Sequence, residues 1–309
     1  MANSLVQEGL RKSTRSTYSS AQETFIRFCD RYGLVAVPVS EKTILRFISH
    51  LYAKKVSHGT IKVYLAAVRN LNVLSGHEVT IWSYKVKLAV KAVQSSGPPP
   101  VKKKPIMYSL LCLMCAQLSN RWSGLMLKAA LSTAFFAGLR GGEYTISGQA
   151  STSQSLTVAH VSFDKVNMTK VMRLKIPRSK TRVHGITCSV GCSGQKVCAV
   201  CDMESYMALR SASSKLQSNQ ALFQFQNGEI LSKSKMNQAI KELVSGLGLN
   251  PSEFSTHSLR AGVASEAAAR GFKEWELKSL GNWSSNAYMG YVRDKDNLYA
   301  GFAKRLAMQ

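Results

Sequence analysis

Six side chains in this sequence have the types needed to break and remake a phosphodiester: Arg140, Lys180, His257, Arg260, Trp283 and Tyr291. In-line attack on a phosphodiester builds negative charge on the non-bridging oxygens. Two guanidiniums that grip those oxygens bidentately, Arg140 and Arg260, stabilise that charge directly. A phenol with a pKa of about 10 is a poor nucleophile until such cations lower the cost of its anion, which gives Tyr291 its role. The leaving 5′-oxygen then needs a proton, and a lysine such as Lys180 is a suitable acid. His257 can donate to the phosphate or assist proton movement, and Trp283 can donate its indole N–H and wall off water. The bond formed is like the bond broken, so strand transfer by this route requires no cofactor, neither ATP nor a hydrolysing metal. The sequence has no P-loop and no obvious trio of acidic metal ligands.

The segments that must position these groups follow from local pattern. Ser255 or Thr256 can cap a helix opening near His257, and Arg260, three residues on, then shares its face. Gly271 suits the end of that helix, and F-K-E-W-E-L-K-S-L suits another that stops at Gly281. Arg140 follows a strongly apolar helix ending at Gly138, and Glu143 follows Arg140. A charged pair emerging from a buried helix must be satisfied by pairing or by a ligand, because a lone buried guanidinium is costly. Two β-rich runs between Ser155 and Val190 place Lys180 at the tip of a hairpin. Tyr288 and Tyr299 compete with Tyr291 as nucleophile; Tyr288, three residues earlier, would face elsewhere on a helix.

Residues 12–95 carry apolar positions at helical spacing, with Arg27, Arg31, Lys54, Lys55, Lys62 and Arg69 on exposed faces. His58-Gly59 reads as the end of one helix or a loop, with the next opening at Thr60. Three prolines and Lys102-Lys103-Lys104-Pro105 then make an extended charged linker. The division expected is a helical domain over 1–96, a linker over 97–105 and a second domain over 106–309, with a tail over 294–309. Leu298, Phe302 and Leu306 give that tail one apolar face, as for a small docking helix. The fold class expected is mainly α with a small antiparallel β-sheet.

The balance of charge narrows the partner. Among 309 residues, 41 are Lys or Arg against 17 Asp or Glu, for a formal charge of +24. Solubility requires far less; a polyanion, and double-stranded DNA above all, is the partner implied, the basic helical module clamping a duplex through its phosphates. A secreted or ribosome-associated basic protein is the alternative. With 45% apolar residues the chain can bury proper cores, which excludes general disorder. No apolar run is long enough to span a membrane, and the polar N-terminus lacks a signal-peptide core.

Seven cysteines are an odd number for a disulfide framework and fit a reducing compartment better. Cys112 and Cys115 have C-x-x-C spacing but lie among Leu and Met, as core residues do. Cys188, Cys192, Cys198 and Cys201 fall within fourteen positions and can bind a structural zinc through four thiolates; the alternative is small residues buried where the sheet meets the next helix.

Five boxes in order, G-L-R-G-G-E, K-T-R, H-S-L-R-A-G, L-G-N-W and Y-V-R, resemble those of the tyrosine recombinase (phage integrase-like) family. Their wording is most similar to the eukaryotic mobile-element recombinases of the Crypton, Ngaro and DIRS groups. The resemblance covers the second domain, and the helical module is similar to that family's core-binding (SAM-like) domain. It implies that Arg140 and Arg260 bind phosphate, Lys180 is the hairpin lysine, His257 opens the second box and Glu143 orients Arg140. It implies Tyr291 as nucleophile, a 3′-phosphotyrosyl bond, a Holliday junction and a tetramer on two duplexes, mobilising or integrating a transposable element. A nuclear location follows in a eukaryote, or the cytoplasm and nucleoid in a bacterium or phage. Asn282-Trp283 departs from the pattern: Trp283 lies eight residues before Tyr291, whereas Asn282 holds the nine-residue spacing of the family's histidine. A type IB topoisomerase, or a domesticated DNA-binding protein without catalysis, are the rival readings at this point.

Overall fold

The computed structural model describes residues 9–98, 102–146, 156–177, 185–213 and 216–292. The chain divides into two compact units, Met1–Val101 and Lys102–Gln309.

Among the described residues the first unit has four helices: α1 (Lys12–Tyr32), α2 (Glu41–Ala53), α3 (His58–Leu74) and α4 (Tyr84–Ser96). Serine hydroxyls start three of them: Ser40, Ser57 and Ser83 accept the backbone N–H of Thr43, Thr60 and Val86. Each satisfies a donor that the first turn leaves unpaired. His58-Gly59 therefore opens α3 instead of closing a helix; the cap at Ser57 overrides the breaking tendency of Gly59. The core gathers Phe25, Phe28, Ile44, Phe47, Ile61, Leu65, Val86 and Val90, with Phe25 and Phe47 edge-on at 5.0 Å. Asn72 is buried in α3 and fully used: its Oδ1 accepts Val39 N–H (2.8 Å) and its Nδ2 donates to the carbonyl of Val68 (3.0 Å). That side chain fastens the α1–α2 loop to α3.

The second unit opens with a segment already bonded to it. Lys104 N–H donates to the Glu253 carbonyl (2.8 Å), the Lys104 ammonium pairs with the Glu253 carboxylate (2.8 Å), and Ile106 N–H donates to the Ser258 carbonyl (2.9 Å). Most of the basic stretch expected as linker thus lies against the second unit. Then come α5 (Tyr108–Ala116), α6 (Trp122–Phe136) and a single turn, α7 (Gly141–Tyr144). Cys115 is buried in the core and Cys112 packs against it, as expected of core residues.

Strands β1 (Val161–Val166), β2 (Thr169–Ile176) and β3 (Ile186–Gly191) form one antiparallel sheet in the order β1-β2-β3. The expected β character from Ser155 begins later, because residues 158–160 form a 3-10 turn. Ile176 pairs with Ile186, so β2 and β3 flank the segment that includes Lys180. The chain continues through α8 (Ala199–Ser213), α9 (Lys233–Gly246), α10 (Thr256–Ala269) and α11 (Glu274–Leu280), and the last described element is a 3-10 turn at Asn286–Gly290. α6 and α10 are the buried centre, and α6 packs on both α8 and α10. The fold is mainly helical with a small antiparallel sheet, as the sequence led us to expect. Among the described residues, no helix is long and apolar enough to cross a membrane.

Candidate active site

Three chain turns that end or begin helices meet around one guanidinium. α10 is capped at Ser255, whose Oγ accepts His257 N–H (3.3 Å) while Ser258 Oγ accepts Ser255 N–H (3.0 Å). Thr256 N–H is held by Asn237 Oδ1 of α9 (2.8 Å). One turn further, Arg260 is 1% exposed, an extreme for a charged side chain.

Two backbone carbonyls accept from that guanidinium. Its Nη1 donates to the Gly138 carbonyl, beyond the end of α6, and its Nη2 to the Gly281 carbonyl, beyond the end of α11 (2.7 Å). The two glycines cross closely: a Cβ on Gly138, whose φ is +56°, would sit 3.0 Å from the Gly281 Cα. A Cβ on Gly281 would sit 2.2 Å from the Trp283 ring. The Trp283 indole lies over the guanidinium at 4.2 Å, and the Tyr291 ring lies 5.2 Å from it. The two rings are 5.7 Å apart.

Burial is the main force lowering the Arg260 pKa, to about 10, aided by the charge of Arg140 and opposed by Tyr291 and Glu143. Arg260 is therefore a cation at neutral pH, and all four groups share one electrostatic neighbourhood. Arg140 caps the single-turn helix α7. Glu143 holds it twice: one carboxylate oxygen accepts the Arg140 N–H (2.8 Å) and the other its Nη1 (3.0 Å). The Glu143 side chain is buried, while that of Arg140 stays 19% exposed, so one face of this arginine reaches solvent.

The sequence-selected residues thus separate by place. Arg140, Glu143, Arg260, Trp283 and Tyr291 come together. His257 is exposed, one turn before Arg260 on the same helix. Lys180 lies outside the described residues, as do Tyr299 and the tail over 294–309. Tyr288 is buried with Ala264, Ala267, Leu277 and Trp283, in a small apolar cluster against which Tyr291 is only partly buried. Asn282, at a φ of +54°, turns its amide to the Cys188 sulfur of β3 (3.7 Å). Trp283, not Asn282, is the neighbour that lies on Arg260.

Cys188 is accordingly parted from the other three cysteines of its run, and the set of four expected to share one metal is not assembled. Its side chain is at the Asn282 turn, where burial pushes its thiol pKa up and the Asn282 amide opposes the shift. Cys192, Cys198 and Cys201 have their sulfurs within 4.8 Å of one another.

Sequence reasoning missed the two glycine carbonyls and Asn237, and it assigned Cys188 to a metal cluster instead of to the Asn282 turn. Backbone acceptors carry no side-chain signal, although helix-ending glycines at 138 and 281 marked the turns that supply them. Two donors are also left over. Arg260 Nε and Trp283 Nε1 are buried with no hydrogen-bond partner among the described residues. Arg210, another buried arginine, has both Nη atoms bound to carbonyl oxygens, of Ala221 and Leu222 and of the Gln220 and Gln224 side chains.

No protein-family model matches the sequence, and no curated protein matches it. Solved structures do. The chain is similar to the Tn1549 transposon integrase in complex with transposon right end DNA, at 12% identity over 96% of this chain and 95% of that one, with a TM-score of 0.63. It is similar to the XerH site-specific recombinase bound to palindromic difH substrate, at 14% identity over 86% and 70% (TM-score 0.62). It is also similar to a lambda integrase dimer bound to a COC′ core site, at 15% identity over 94% and 74% (TM-score 0.58). At these identities the likeness is one of fold. The fold is the one that these integrases and recombinases have.

Proposed function

We propose that the chain is a DNA recombinase in which Tyr291 attacks a phosphodiester held by Arg140 and Arg260. The observation that carries this is the setting of the Arg260 guanidinium: a phenol and an indole lie on it, Arg140 is beside it, and two buried N–H donors at that point have no partner among the described residues. An unmet buried donor costs about 1–3 kcal/mol, a cost that a phosphate oxygen at that position would remove. The fold supports the reading, and so do the similar structures, which are recombinases and integrases bound to DNA.

In this mechanism Arg140 and Arg260 hold the non-bridging oxygens, and Trp283 donates its indole N–H to them. The Tyr291 oxygen forms a bond to phosphorus as the bond to the 5′-oxygen breaks, leaving a 3′-phosphotyrosyl link. Lys180 gives its proton to the leaving oxygen, and the proton that the phenol loses passes to His257 and on to solvent, which returns one to Lys180, so the step balances. A free 5′-hydroxyl from a second duplex reverses the step and joins the strands through a Holliday junction, as when a transposable element moves or integrates. A tetramer on two duplexes and a nuclear location in a eukaryotic host belong to the same proposal.

The test is a nicked suicide duplex carrying the terminal sequence of the parent element. Wild-type protein should form a covalent protein–DNA band that Tyr291→Phe abolishes and Tyr288→Phe retains. A band that survives Tyr291→Phe would sink the assignment. Relaxation of supercoiled DNA without strand exchange would move the reading to a type IB topoisomerase.

A further inference from the structure

Three thiols converge at the surface where β3 hands over to α8. Cys192 follows β3 and is tied to β2, its N–H donating to the Lys170 carbonyl (2.7 Å). Cys198 precedes α8, and Cys201 lies in its first turn. The Cys192 sulfur is 3.6 Å from that of Cys198 and 3.7 Å from that of Cys201. A disulfide would bring two sulfurs to about 2.05 Å. Tetrahedral zinc, with bonds of about 2.3 Å, sets its sulfur ligands about 3.8 Å apart. The observed spacing is that of ligands around a metal.

Simple packing does not account for the cluster. Cys201 is exposed and Cys192 half-buried, so these are not three small residues hidden in a core. The Cys198 sulfur accepts the backbone N–H of Ser193 (3.3 Å) and is bonded by that of Cys201. Donors arranged around one sulfur stabilise a thiolate, the form that binds metal. Just outside, the Lys170 ammonium is held by both oxygens of Glu204 at 3.0 Å, close enough to Cys192 and Cys201 to offset thiolate charge.

We infer that Cys192, Cys198 and Cys201 bind one zinc ion as thiolates, with the fourth position on the solvent side filled by water. Each thiol releases its proton to solvent as it binds. Soft thiolates select zinc over the hard oxygen-seeking cations. The ion fastens the end of the sheet to α8, and so to α6 on which α8 packs. It stands apart from the phosphodiester chemistry and does not depend on it.

The test uses full-length protein made with zinc present and purified under reducing conditions. Metal analysis should give one zinc per chain for wild type, Cys112→Ser and Cys188→Ser, and little or none for Cys198→Ser or Cys201→Ser. Because those last variants can fail to fold, the wild type supplies a second reading. Alkylation followed by peptide mass spectrometry should find Cys192, Cys198 and Cys201 shielded until a chelator is added, with Cys112 and Cys188 indifferent to it. Cobalt in place of zinc should give the near-ultraviolet charge-transfer band of thiolate ligands. Metal-free protein with reduced thiols, a disulfide among the three, or loss of zinc in Cys188→Ser as complete as in Cys198→Ser would each overturn the inference.

Discussion

Arg260 concentrates most of what distinguishes the site. A guanidinium at 1% exposure is expensive unless its donors are met, and here carbonyls at two glycine turns meet part of the need. The remaining Nε donor and the Trp283 N–H have no acceptor among the described residues, the opening that a phosphate oxygen fills in the proposed function. Trp283→Phe separates the two jobs of the indole. The phenyl ring keeps an aromatic face for Arg260, a smaller one, and removes the N–H donor. Single-turnover cleavage should fall by about 10²-fold with duplex affinity unchanged, the scale at which loss of one transition-state donor is felt. An unchanged cleavage rate would show that the indole N–H does not contact the phosphate.

At the scale of elements, the site is a crossing of helix ends. α6 stops at a left-handed Gly138, α11 stops at Gly281, and α10 carries Arg260 between them. α10 is itself seated against residue 106, where a Cβ on Gly262 would meet the Ile106 carbonyl oxygen at 1.8 Å. Gly281→Ala tests the crossing. Its methyl would collide with the Trp283 ring and push the indole off Arg260. Cleavage by Gly281→Ala should drop at least as far as in Trp283→Phe, while far-ultraviolet circular dichroism keeps its helical signal. Activity equal to wild type would mean that Trp283 has room to shift, and that its stacking is not what positions Arg260.

For the whole molecule, the formal charge of +24 sets the physics of association. If the partner is duplex DNA, most of the affinity for non-specific sequence comes from counterion release. With about 6–10 phosphate contacts, raising salt from about 50 to 200 mM should weaken binding by about 10³- to 10⁵-fold. Fluorescence anisotropy of a labelled random duplex across that range measures it. A nearly flat dependence would mean that the basic surface does not meet phosphates and would remove a main support of the proposed function.

The sequence by itself determined which chemically capable residue types are present, in what order, and most of the local elements. The cap at Ser57 was not legible, because Gly59 reads as a break, but the order of Arg, Lys, His, Arg, Trp and Tyr and the helix-ending glycines at 138 and 281 are set by residue type and near neighbours and were legible without a fold. So was the class, helices with one small antiparallel sheet, because periodicity is a local property. Only the tertiary structure decided which atoms meet. Gly138 and Arg260 lie 122 residues apart, and Asn282 and Cys188 lie 94 apart. No local pattern says that the first pair clamps a guanidinium or that the second removes Cys188 from its cysteine run. The same crossing puts the Trp283 ring over Arg260 with the Tyr291 ring beside it, turns Asn282 to Cys188 and buries Tyr288 in an apolar cluster. The physical reason is that a side chain's partners depend on how distant segments pack, and one residue's rotation about a turn sends neighbours to opposite sides.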